Sequence, residues 1–239
     1  EELEDVLRRI EEVLREIIRL LEEHHDMVRR AVERIKRLLE DHHKKVEDIL
    51  REIKRRIDKE DVKRTLDDIL RRNNETLKRL KEELDRLLKE NEDRLRKVTK
   101  DLKRLLDKAK ELVDRIDSEE VLRRLAEIVE RILRTVRKVL RDSIRILERL
   151  LRVAREALER SIKSLREILD TVEKALKDGP EKVKKELKDL ARKAEKLSED
   201  VRRELEETVK DLRRKSKEVE DRLDKLTEEI RRTLEEKRR

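Results

Sequence analysis

The chain has 239 residues, of which 56% are charged, and it contains no aromatic residue, no cysteine, one glycine and one proline. Turn-rich and sheet-built folds need more glycine, proline and aromatic residues than this, and disulfides and thiolate metal sites need cysteine. The net charge of +8 comes from 71 basic residues interleaved with 63 acidic ones. No continuous basic stripe forms, and no ring is present to stack on bases, so a nucleic-acid partner is not expected.

What remains is dominated by Glu, Lys, Leu, Arg and Ala at helical spacing, the mark of long or coiled helices. The first helix is expected over about 1–57. Its apolar seam runs through Leu3, Leu7, Ile10, Leu14, Ile17, Leu21, His24, Val28, Ala31, Ile35, Leu38, His42, Val46, Ile49, Ile53 and Ile57. Asp58-Lys59-Glu60-Asp61 interrupts it. The second helix, about 61–116, carries Val62, Leu66, Ile69, Asn73, Leu77, Leu80, Leu84, Leu87, Asn91, Leu95, Val98, Leu102, Leu105, Ala109, Leu112 and Ile116. Both seams advance about 3.6 residues per step, so the stripe runs straight and little supercoiling is expected.

At Asp117-Ser118-Glu119-Glu120 a second break offers Asp117 or Ser118 as a cap for the third helix, about 118–177. The third break, Asp178-Gly179-Pro180-Glu181, holds the only Gly and Pro in the chain. Gly179 suits a left-handed helix stop, and Pro180 suits the first position of a fourth helix over about 180–239. Loops this short require antiparallel neighbours. The expectation is one all-α domain over 1–239, a long, nearly straight, coiled-coil-like four-helix bundle running up-down-up-down.

Polar residues interrupt the aliphatic seams at one repeated spacing. His24 and His42 lie 18 residues apart, each followed by a second histidine, His25 and His43. Asn73 and Asn91, Ser143 and Ser161, and Ser198 and Ser216 repeat the interval. Eighteen residues make five whole turns, so each pair shares one azimuth about 27 Å apart. Reflecting the chain about each loop brings the sets into register. One layer is expected to hold His24, His25, Asn91, Ser143 and Ser216, and the other His42, His43, Asn73, Ser161 and Ser198. A buried polar group left unpaired costs about 1–3 kcal/mol, so gathering them allows mutual pairing and disfavours slipped packings.

These twin layers in an aliphatic-only core resemble computationally designed helical bundles carrying buried hydrogen-bond networks, the subset with histidine being pH-responsive. The resemblance covers the whole chain as a style and implies a structural purpose without a natural enzymatic activity. The residues themselves agree with that reading. Adjacent histidines diverge by about 100° on a helix, and no seam carboxylate completes a metal site. The serine–histidine pairs lack a seam acid and an oxyanion hole, so no catalytic residue, cofactor or small-molecule substrate is expected. No signal segment or apolar run of membrane-spanning length is present, and the protein is expected to be soluble.

Helix three carries extra apolar residues beside its seam, among them Leu122, Val129, Leu133, Leu140, Ile144 and Leu151, and helix one adds Val6, Val13, Ile18, Leu20, Val32, Leu39 and Leu50. Helix four adds little. That inequality favours a homo-oligomer assembled through helices one and three over a monomer. The alternative is a partner-binding module or rigid scaffold component of a designed hetero-assembly.

Overall fold

A computed structural model of the chain describes residues 2–115 and 118–238. Glu1, Ile116, Asp117 and Arg239 lie outside the described residues, as does the side chain of Ser118, and with them the cap expected at the second break. The described chain forms four helices, α1 (Glu2–Arg56), α2 (Glu60–Arg115), α3 (Ser118–Ala175) and α4 (Glu181–Arg238). They are near-equal, at 55, 56, 58 and 58 residues. Contacts between successive helices and between α1 and α4 close them into a four-helix bundle.

The helix ends follow from local chemistry. Acidic residues open α2 (Glu60, Asp61), α3 (Glu119, Glu120) and α4 (Glu181), and basic residues close α1 (Lys54, Arg55, Arg56). Both placements complement the helix dipole. At the first break the Lys59 carbonyl accepts the first helical bond of α2, from Lys63 N–H at 3.2 Å. At the third, Pro180 C=O accepts from Lys184 N–H at 3.2 Å, so the proline sits at the threshold of α4, where it needs no N–H partner.

Gly179 corrects the sequence reading. No residue, glycine included, has a positive φ among the described residues, so α3 does not end in a left-handed stop. Instead Gly179 N–H donates to the Leu176 carbonyl at 2.9 Å. An i to i−3 turn tightens the helix end and satisfies that carbonyl without any reversal of handedness.

Two compact units share these helices. The first comprises residues 1–29, 87–147 and 211–239, and the second 30–86 and 148–210. The first unit joins the start of α1 to the end of α2, the start of α3 and the end of α4. Neighbours there run in opposite directions, as the short loops require. Its core is aliphatic throughout, with Ile10, Ile17, Leu102, Leu125, Ile132 and Leu223 all within a few per cent of full burial. Arg231 on α4 donates from Nε and Nη2 to the two carboxylate oxygens of Glu130 on α3, at 3.0 and 3.3 Å. The guanidinium beside it holds the Glu130 carboxyl below its usual range. The second unit has an equivalent core around Leu50, Ile53, Ile57, Leu66, Leu165 and Leu187.

Width of the apolar face differs between helices. On α1 the pairs Val6–Leu7, Val13–Leu14 and Leu20–Leu21 are buried at seven-residue intervals, and on α3 Ile132–Leu133, Val139–Leu140 and Ile146–Leu147 repeat the pattern. On α2 and α4 buried apolar residues come singly, as at Leu80, Leu84 and Leu87 or Leu205, Val209 and Leu212. A doubled row lets a helix bury surface against more than one neighbour. The extra side chains Leu122, Val129, Leu133, Leu140 and Leu151 are thereby buried within the chain itself, whereas Ile144 is half-buried.

Candidate functional site: two buried polar networks

In the first unit the polar residues expected to share a layer are connected. His24 is 2% exposed, and its Nε2 is hydrogen-bonded to Ser216 Oγ of α4 at 2.9 Å. His25, turned about 100° further round α1, is half-buried and faces α2 instead. Asn91 Nδ2 donates to His25 Nδ1 at 3.1 Å. Ser143 of α3 donates from Oγ to Asn91 Oδ1 at 2.8 Å. All four helices are thus tied at one level by five side chains. Because Asn91 donates to His25 Nδ1, that nitrogen carries no proton in this arrangement, and the neutral ring holds its hydrogen on Nε2.

The second unit repeats half of this pattern. His42 Nε2 is hydrogen-bonded to Ser198 Oγ at 2.6 Å. Ser198 is fully buried, and its hydroxyl also donates to the Ala194 carbonyl, at 3.2 Å. One hydroxyl has one proton, so Ser198 must accept from His42, which fixes the His42 Nε2–H tautomer. His43 departs from the expected pairing. Its Nε2–H donates to Asn74 Oδ1, one residue beyond the seam asparagine Asn73, with the Glu47 carboxylate 3.7 Å away.

Asn73 and Ser161 occupy the expected level but do not bond to each other. Both are half-buried, and among the described residues neither side chain has a hydrogen-bond partner. They line a common cleft of about 280 Å³ together with His42 and His43. Asn74 is the histidine partner that periodicity misses, and it lies on the exposed side of α2, outside the buried set. The signal for it lay in the doubled asparagine, which mirrors the doubled histidine on α1.

Burial controls the electrostatics of the inner histidines. His24 and His42 are each lowered from 6.5 to about 4, chiefly because burial strips water from the imidazolium. Repulsion from the adjacent histidine, His25 or His43, adds to the shift. The groups bonded to the two rings are serine hydroxyls, which offer no counter-charge. These rings are therefore neutral at pH 7.

The same geometry sets what the site can do chemically. A histidine–serine pair is the start of a nucleophile and base, but Ser198 is fully buried and Ser216 is 3% exposed, so a substrate carbonyl has no route to either oxygen. Among the described residues no group of three or more His, Asp or Glu is gathered as a metal would need. No described helix is long and apolar enough to cross a membrane. Comparison with family models, curated proteins and solved structures finds no match to this chain.

Proposed function

We propose that this chain is a structural helical bundle of designed character, whose buried histidine networks fix helix register and make its stability fall on acidification. The observation that carries the reading is the burial of His24 and His42 against serine hydroxyls, with no carboxylate bonded to either ring. The resemblance to designed bundles rests on the same features, an aliphatic core without aromatic residues and hydrogen-bonded His, Asn and Ser side chains within it.

The pH dependence has a definite sign. An unfolded histidine takes up its proton near pH 6.5, whereas the folded His24 and His42 resist it until about pH 4. Between those values the unfolded chain binds more protons, so stability is intact above pH 6.5 and falls as pH drops toward 4. At pH 5 the loss is about 2 kcal/mol per inner histidine. Carboxylates, with pKa values near 4 when unperturbed, contribute little above pH 5. Chemical denaturation at pH 7.4 and pH 5.0 tests this. A midpoint that moves clearly to lower denaturant in acid supports the switch, and one that stays put leaves only a static bundle.

Burial of most of the second apolar row within the chain, Leu133, Leu140 and Ile146 among it, supports a monomer rather than assembly through α1 and α3. Light scattering should then return a mass close to 29.2 kDa. A mass about twice that would restore the oligomer.

A further inference from the structure

The cleft in the second unit has features that the register-setting role does not use. We propose that it is a binding site for a small amphiphilic carboxylate, an apolar tail of seven or so carbons ending in one anionic group.

Size is the first argument. The cleft measures about 280 Å³. A 150 Å³ aliphatic cavity accepts benzene, so this one suits a ligand of about eleven non-hydrogen atoms by proportion. Chemistry of the lining is the second. Leu39, Val46, Leu80 and Leu158 form an aliphatic floor, and each is buried. That floor matches an alkyl tail and offers it nothing to hydrogen-bond.

The third argument is the asymmetry between the two polar sets. In the first unit Ser143 and Asn91 satisfy one another. Their counterparts in the second unit, Ser161 and Asn73, line the cleft with no hydrogen-bond partner among the described residues and leave a hydroxyl and an amide to recognise a ligand oxygen. Each group can donate to a carboxylate.

Charge decides between an anionic head and a cationic one. Arg72, Arg160 and Lys163 also line the cleft, against a single acid, Glu167. Among the described residues none of these three cations forms an ion pair, so none is neutralised by a neighbouring carboxylate. A carboxylate at the mouth meets a positive rim and the Asn73 and Ser161 donors together.

The test titrates octanoate, octanol and octylamine into the full-length chain at pH 7.4, following the side-chain amide signals of Asn73 and Asn91 by NMR. Octanoate should shift the Asn73 amide saturably, with a dissociation constant in about the millimolar range. The Asn91 amide, locked between Ser143 and His25, should not move. Ser161→Leu, which fills the cleft, should abolish the shift. The double variant Arg160→Glu/Lys163→Glu, both on the solvent-exposed rim, should weaken octanoate at least tenfold while retaining the helical circular dichroism of the parent. Octylamine binding as tightly as octanoate overturns the anionic assignment. Unsaturable shifts at both amides, or an unchanged response in Ser161→Leu, overturn the site itself.

Discussion

Asn91 and Asn73 are the most informative pair at the scale of single residues. They look equivalent in the sequence, each on the α2 seam and each 18 residues from the other. Asn91 is 3% exposed and both accepts from Ser143 and donates to His25. Replacing it with leucine strands the buried Ser143 hydroxyl and the half-buried His25 ring, and the expected cost is about 1–3 kcal/mol. Among the described residues Asn73 has no hydrogen-bond partner to strand, so Asn73→Leu should be neutral or slightly stabilising. Equal losses in urea denaturation of the two variants would show that the second unit holds an asparagine link like the first. Gly179 yields a second residue-scale prediction. Its φ is negative or extended, and a Cβ built on it comes no closer than 3.4 Å to the Leu176 carbonyl. Gly179→Ala should therefore raise stability by about 0.4–1 kcal/mol through the unfolded chain's lost freedom. A decrease in the thermal midpoint would reinstate the left-handed stop that glycine at a helix end first suggests.

At the scale of elements, the four helices and their breaks were legible because three separate signals coincided. Apolar periodicity stopped, acidic residues began the next stretch, and the only Gly and Pro fell at one of the breaks. The level of each polar residue was legible too, since reflection about a short loop is a geometric consequence of antiparallel packing. Finer azimuth was not. Seam counting assigns one residue per turn to the interior, yet His43 lies one residue past the seam and so reaches Asn74, one residue past the seam on α2. The same averaging put Leu38 on the α1 seam, whereas Leu39 is the more deeply buried of the two. A doubled face, as on α1 and α3, reads in sequence as surplus apolar surface because the sequence does not reveal which neighbours will cover it. Leu133 tests the outcome. At 2% exposure it is core, and Leu133→Ala should cost about 2–5 kcal/mol. That cost should be independent of protein concentration. A loss that grows on dilution would place Leu133 between chains.

For the whole molecule the balance is between a surface rich in charge and an interior with very little. Most of the ion pairs join exposed side chains, many at i, i+3 or i, i+4 on one helix, as with Arg8–Asp5 and Arg214–Asp211. Pairs of that kind contribute little each and weaken in salt. In the proposed switch, the acid-sensitive part of the stability resides instead in two neutral imidazoles held in aliphatic surroundings. Protonation of either requires a charge to be buried or the helices to separate around it. His24→Gln/His42→Gln should accordingly flatten the stability difference between pH 7.4 and pH 5.0 to less than about 1 kcal/mol, against about 4 kcal/mol for the parent chain. An undiminished acid loss in that variant would move the sensitivity to the carboxylates.

The most direct measurement is an NMR titration of the histidine Cε1–H signals, assigned with the two single His→Gln variants and accompanied by circular dichroism. While the helical signal is intact, His24 and His42 should remain neutral down to about pH 4. Midpoints near the ordinary 6.5 in the folded protein would mean that water reaches both rings, and the proton sensitivity of the bundle would have no source.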